Sequence, residues 1–356
     1  MASELLSRGI APRVLERAGQ VCSSWRGHYE SLHLNSPRAL SSLPGRAMPR
    51  RYGQWVGRDD FIEYVESYSE RLRPLIELGT AVQRVEPAGA GWRIETSHGT
   101  ARAREVVVAT GLNAVPQTPA WPGADGFEGE IVHAARFTSA RPYRGRDVLV
   151  VGVGATGIDI AVELLRQGAG RVRVSVRTPP LLFRRHFSTA ILSQAIKHAR
   201  LPGALVDPVS LLVQRLVWGD LTEIGLGRPS EGLATALRRR GHGGAVDRGL
   251  VSALRNGHAE AVPAVERFEG REVVLADSRR LAPDVVIAAT GQRTGLAPLV
   301  GHLGVLGADE RPLVHGASTV AGAPGLHFLG FRLPAGQLPD MAPDARAIAR
   351  SIARAR

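Results

Sequence analysis

Four consecutive apolar residues running straight into a glycine triplet constrain this chain more than any other stretch. They are Val148-Leu149-Val150-Val151, followed by Gly152-Val153-Gly154-Ala155-Thr156-Gly157. Such an apolar run suits a parallel strand buried on both faces. From Ala155 to Gln167 the residues are helix formers, with apolar positions at Ile158, Val162 and Leu165, which predicts a helix. Strand, Gly-x-Gly-x-x-Gly and helix in that order are the fingerprint of a dinucleotide-binding unit. Gly152 permits the tight turn, Gly154 lets a pyrophosphate approach the backbone, and Gly157 lets helix and strand pack closely. The phosphates then meet the unpaired amides at the helix start, around Ala155 and Thr156. The next run, Val172 to Val176, predicts the strand whose end selects the nucleotide. NAD sites place a carboxylate there, and NADP sites an arginine that accepts the 2′-phosphate. The residue is Arg177, so NADPH is the expected dinucleotide; Arg184 and Arg185 could add bonds to the same phosphate.

An internal repeat extends the argument. Ala161-Val162-Glu163-Leu164-Leu165-Arg166-Gln167-Gly168 is echoed 159 positions earlier by Ala2-Ser3-Glu4-Leu5-Leu6-Ser7-Arg8-Gly9. Each copy leads into a β-like run, ending at Arg177 or Glu16, so two Rossmann units are implied. On this offset the first unit's glycines fall at −7 to −2, outside the 356 residues. The expectation is a late-assigned start or a natural truncation, with Glu16 left to hold a ribose without its pyrophosphate turn. A buried run ends in Ala109-Thr110-Gly111, and a second ends in Ala289-Thr290-Gly291. These turns bracket the Gly152 unit. The expected fold is α/β: a first dinucleotide domain over residues 1–140, a second inserted at 141–291, and a return to the first at 292–356. Trp25 to Pro49 is aromatic, proline-bearing loop suited to wrapping an extended ligand, with Trp25 and Arg26 as candidate contacts. Asp59 or Asp60 is expected to cap a helix through Ile62, Val65, Tyr68 and Leu72, with short strands after it. A late strand ends at Gly330. A final helix opening at Gln337, after Gly336, would aim its positive end at a cofactor ring.

Composition narrows the function. The net charge of +12 is carried almost wholly by arginine, Lys197 being the only lysine, and aromatics do not interleave the basic residues, so nucleic-acid binding is unsupported. A single cysteine, Cys22, excludes an intrachain disulfide or a dithiol redox pair, and a reducing cytoplasm is the simplest compartment. No signal-like segment opens the chain and no apolar run spans a membrane. The nearest candidate, Phe187 to Leu221, is broken by Lys197, Pro202, Asp207 and Pro208; it reads as two amphipathic helices covering a cleft rather than lying on a membrane. There is no Gly-x-Ser-x-Gly elbow and no histidine spacing for zinc, so no metal is expected.

Phe127-Glu128-Gly129-Glu130-Ile131-Val132-His133-Ala134-Ala135-Arg136-Phe137 matches the signature F-x-G-x-x-x-H-x-x-x-F/Y just upstream of the fingerprint. In this the chain resembles the flavin-containing monooxygenases, nearest to their bacterial and YUCCA-type branch, over nearly its whole length. The resemblance implies FAD as prosthetic group, NADPH as reductant and O2 as oxidant, with a C4a-hydroperoxyflavin oxygenating a small nitrogen- or sulfur-containing or α-keto-acid-like substrate. It also implies cofactor contacts at Glu16, Thr110, Gly111, Phe127, Gly129, His133, Thr290, Gly291, Gly330 and Gln337, besides those of the fingerprint. Tyr29-x-x-Leu32-x-x-Asn35 resembles the family segment whose asparagine lies beside flavin and substrate, which makes Asn35 the candidate catalytic residue. Two departures stand out: the first glycine fingerprint is missing, and Gln292 occupies a place where relatives carry an aromatic. The alternative is a non-catalytic NADP-binding remnant that has lost its flavin site.

Overall fold

A computed structural model describes residues 1–186, 202–240, 243–331 and 337–355. The first half opens with a short helix α1 (Ala2–Leu6), which turns at Gly9, in the left-handed region at φ 69°, into strand β1 (Val14–Leu15). Helix α2 (Arg58–Ser69) buries Phe61, Ile62, Tyr64 and Tyr68 on one face. Its N-cap is Gly57, not an aspartate; Asp59 and Asp60 lie in the first turn, where the positive helix end favours them. Strand β2 (Ile76–Glu77) pairs in parallel with β1. An antiparallel meander, β3 (Val82–Ala88), β4 (Gly91–Thr96) and β5 (Gly99–Ala103), buries Val85, Trp92 and Ile94, and strand β6 (Val106–Val108) follows.

The second half holds a five-stranded sheet. Strands β7 (Glu130–His133) and β8 (Asp147–Val151) are followed by helix α3 (Ala155–Arg166) and strand β9 (Arg171–Val176). Helices α4 (Gly203–Trp218) and α5 (Leu233–Arg240) precede strands β10 (Glu260–Pro263) and β11 (Val285–Ala288). The sheet order is β10-β9-β8-β11-β7, all parallel, with Val148 facing Val172 on one side and Val285 on the other. β8 and β11 are buried almost throughout because helices and loops cover both sheet faces. The strand order reverses at β8, which places a ligand crevice at its carboxyl end. β7 belongs to this sheet through its ladder with β11, so the chain enters the second sheet before residue 141, the expected boundary.

Strand β12 (Leu326–Phe328) returns to pair with β6, and helix α6 (Gln337–Arg354) buries Ala345, Ile348 and Ile352 against Leu5, Ile10 and Leu329. The 159-residue offset is structural. It carries α1 into α3, Gly9 onto Gly168 (φ 81°) and Val14–Leu15 onto Arg173–Val174 of β9. Taking β8 out of the intact sheet would leave two pairs, β10-β9 and β11-β7. The first half shows just such pairs, β2-β1 and β6-β12. No strand among the described residues lies between β1 and β6, and Val106 and Val107 are accordingly only half-buried, whereas β11 is wholly inaccessible.

Of the stretch read as two helices, residues 187–201 lie outside the described residues; α4 accounts for the rest and runs through Pro208 without breaking. A proline there costs one helical bond but does not end the helix when tertiary contacts hold it. The Asp207 carboxylate ties α4 to the next helix, accepting the amides of Ala234 (2.6 Å) and Thr235 (3.1 Å) at the start of α5.

Candidate active site

A cleft of about 590 Å³ opens at the carboxyl ends of β8, β9 and β11, lined among others by Gly152, Gly154, Thr156, Arg177 and Thr290. Each glycine has a separate reason to be one. Gly152 sits at φ 111°, and a Cβ there would lie 2.6 Å from the Ala289 carbonyl oxygen. A Cβ on Gly157 would fall 2.0 Å from the Gly152 carbonyl, so helix and strand could not approach as they do. Gly154, the helix N-cap, has ordinary backbone angles and nothing within 4 Å of a Cβ. Its bareness faces the cleft, where a ligand can touch the backbone. No side chain caps α3, and its first helical backbone bond runs from Ile158 N–H to Gly154. The amides of Ala155, Thr156 and Gly157 thus remain for an anion at the positive end of the helix.

Arg177, at the end of β9, is exposed, lines the cleft, and makes no ion pair among the described residues. The other two arginines are engaged elsewhere. Arg184 lies over the Trp218 ring at 5.0 Å, and Arg185 over Trp55 at 4.6 Å. Burial, with Arg248 nearby, pulls the Arg185 pKa down to about 10. Neither lines the cleft, which corrects their expected part in holding a 2′-phosphate.

The sequence signature divides into packing and lining. Phe127 packs edge-on against Phe268 at 5.0 Å, and a Cβ on Gly129 would come within 2.6 Å of the Phe127 ring. Phe137 is buried and stacked on Tyr143 at 5.7 Å. Of the four, only His133 lines the cleft. Its Nδ1 accepts the Ala135 amide at 3.0 Å, which assigns the proton to Nε2, and Nε2 donates to the Gly291 carbonyl at 3.1 Å. Burial lowers its pKa below the usual histidine value, so it is neutral at pH 7. It thus holds the Thr290–Gly291 turn, where Gly291 adopts φ 90° and the Thr290 hydroxyl donates to the Gln117 carbonyl at 2.5 Å.

Sequence reasoning missed a polar chain beside the cleft. The Tyr29 hydroxyl donates to Asp159 Oδ2 at 2.7 Å, and Arg248 reaches the same oxygen at 2.8 Å and His33 Nδ1 at 3.2 Å. Burial pushes the Asp159 carboxyl up, while Arg248 and Tyr29 oppose that shift. The one available signal was an aspartate between Ile158 and Ile160 on the buried face of α3.

The residues expected around FAD are not gathered in the same way. Glu16, at the end of β1, accepts the Ala18 amide at 2.9 Å. Thr110 is exposed after β6, with Gly111 at φ 81°, and Gly330 sits at φ 86° against Met341 after β12. Trp25 packs on Phe61 at 4.3 Å and Arg26 pairs with Glu66, so both are committed to α2. Asn35 is exposed, makes no described hydrogen bond and does not line the cleft. Gln337 opens α6, with its side chain outside what is described. Among the described residues nothing at the ends of β1 and β6 repeats the Gly152–Gly157 cradle. The Gly152–Gly157 turn fits the phosphates of NADPH, whereas the described residues at the ends of β1 and β6 do not complete the pyrophosphate contacts of FAD.

Comparison with known proteins agrees with this geometry. The family model described as pyridine nucleotide-disulphide oxidoreductase matches residues 1–200. The indole-3-pyruvate monooxygenase YUCCA1 of Oryza sativa subsp. japonica is 31% identical over 339 residues, which cover 93% of this chain and 83% of that protein. Among solved structures, a flavin-containing monooxygenase from Stenotrophomonas maltophilia superimposes with a TM-score of 0.72 at 22% identity, covering 99% of this chain and 94% of that one. A cyclohexanone monooxygenase mutant from Rhodococcus sp. Phi1, bound to NADP+, gives 0.75 at 18% identity, covering 99% and 83%. With the fold shared across those structures and a curated relative matched along most of both chains, the protein belongs to the flavin-containing monooxygenases, oxidoreductases that work with FAD and NADPH.

Proposed function

We propose that this chain uses NADPH and O2 to oxygenate a small organic substrate, and that the substrate is an α-keto acid rather than an amine or sulfide. The cleft supports the use of NADPH: a bare N-cap at Gly154, free amides at the start of α3, and an Arg177 without an ion pair among the described residues where a 2′-phosphate would lie. The second part is supported by the YUCCA1 relative, whose name specifies indole-3-pyruvate, an α-keto acid. Bound FAD would supply the oxygen chemistry. The chain's own residues bind and orient. The helix start holds the pyrophosphate, Arg177 holds the ribose phosphate, and neutral His133 keeps the Thr290–Gly291 turn in place.

The inserted domain on this reading is the sheet β10-β9-β8-β11-β7 with its helices, set between β6 and β12. Asn35 is the residue proposed beside the reacting groups. The test is oxygen uptake with NADPH and added FAD, comparing indole-3-pyruvate with trimethylamine and a thioether. Keto-acid-dependent NADPH oxidation is expected; stimulation by the amine or thioether alone would reject the substrate assignment. Asn35→Ala should preserve NADPH binding but raise the hydrogen peroxide released per NADPH consumed. An unchanged ratio would remove Asn35 from the mechanism.

A further inference from the structure

Helix α4 is turned against the usual sense. The face it buries carries Ser210 and Gln214 between Val206 and Trp218, and the Gln214 side chain accepts the Leu182 amide at 2.8 Å. Its solvent face is apolar. Leu205, Val209, Leu212, Val213 and Leu216, spaced by three and four residues, form one stripe; Leu216 is 77% exposed, and Leu205, Leu212 and Val209 are 58%, 57% and 54% exposed. Five of the exposed large apolar residues among those described thus lie together on one helix face. Scattered apolar residues on a surface need no partner, but a contiguous stripe of on the order of 500 Å² ranks with the largest patches monomers carry, which are often functional.

No residue of α4 lines the cleft, against the sequence expectation that this stretch covers it and does not lie on a membrane; we propose instead that the stripe docks on the surface of an anionic lipid bilayer, with α4 lying in the interface plane. Three observations choose that occupant. Sixteen residues make a helix of roughly 24 Å, shorter than the roughly 30 Å hydrocarbon core, so the helix lies on a bilayer and does not cross it. A second copy of the chain fits less well. Two such stripes facing each other would bury about 1,000 Å², below the roughly 1,200–2,000 Å² of stable interfaces. Charge decides the lipid. The chain carries +12, and exposed Arg215 flanks the stripe without an ion pair among the described residues. It lines a cavity of about 260 Å³ with Leu211, Leu212 and Arg228. Arg228 is tied to Asp220 at 2.7 Å, which leaves Arg215 to meet a lipid phosphate. An exposed Leu and Val face bordered by one arginine can seat its apolar side chains at the headgroup boundary while Arg215 meets a phosphate.

The experiment is flotation of the full chain with phosphatidylcholine vesicles, with and without about one third phosphatidylglycerol. The wild type is expected to float with the anionic vesicles and to stay largely unbound with the zwitterionic ones. Leu212→Glu/Leu216→Glu should cut the bound fraction by about tenfold while circular dichroism and NADPH binding stay unchanged, because both side chains point into solvent. Arg215→Glu should weaken binding to anionic vesicles alone. Absence of wild-type flotation overturns the proposal. So does a wild-type dimer in sedimentation velocity that the double variant dissociates, since the stripe would then be an interface between copies.

Discussion

At the scale of single residues, Arg177 and His133 do different work and predict different measurements. Arg177 is an exposed charge with no ion pair among the described residues, open to a second charge. Arg177→Ala should weaken NADPH by about 1–3 kcal/mol, the size of a charge-assisted hydrogen bond, and leave NADH nearly unchanged; titration of tryptophan fluorescence measures both. Equal losses would remove it from nucleotide selection. His133 is a buried, neutral hydrogen-bond donor. Its folded pKa lies below the unfolded value of about 6.5, so the unfolded chain takes up the proton first as pH falls. Its contribution is complete above about pH 6.5 and declines as pH drops toward the folded pKa. Burial lowers His28 and His33 in the same direction. The melting temperature should therefore fall between pH 7 and pH 5.5, and His133→Gln should show a shallower fall. A slope unchanged by the substitution would place the titration elsewhere.

At the scale of elements, the glycine turn separates folding from binding. Gly154 and Gly157 belong to one motif, yet only Gly157 faces a carbonyl at 2.0 Å from where its Cβ would be. Gly157→Ala should lower the melting temperature by several degrees, since helix and strand must separate. Gly154→Ala should leave melting nearly unchanged and reduce NADPH affinity, because the methyl group meets only the ligand. Thermal scans with and without NADPH distinguish the two, and matching losses of stability would contradict the assignment. The strand-turn-helix was legible because a four-residue apolar run, three glycines and a 3.6-residue apolar period all agree. The cap of α2 was misread because Gly57 and two aspartates compete for one boundary, which only backbone geometry resolves. That α4 runs through Pro208 is likewise decided by the fold: proline's local cost is visible in sequence, and the contacts that offset it are not.

At the scale of the whole molecule, the two halves hold their ligands unequally. The second sheet is closed around β8, while β1 and β6 are joined by no described strand, and the first half has no described counterpart of the phosphate cradle. The 356-residue chain should lose flavin on gel filtration and still bind NADPH. Tightly held, stoichiometric FAD would show that other contacts suffice. The sequence by itself determined the α/β class, the doubled Rossmann pattern, the dinucleotide cradle and the resemblance to the monooxygenases. Each of these rests on residues close in sequence or on a repeat, where local sterics and periodicity speak directly. Only the tertiary structure decided that β7 joins the second sheet, that Arg184 and Arg185 lie over tryptophans, and that Tyr29 and Arg248 meet on Asp159 from 130 and 89 residues away. It alone showed that α4 turns its apolar face outward. Amphipathicity gives a helix two faces, but which one is buried depends on what packs against it, and that partner is set by the fold of distant segments.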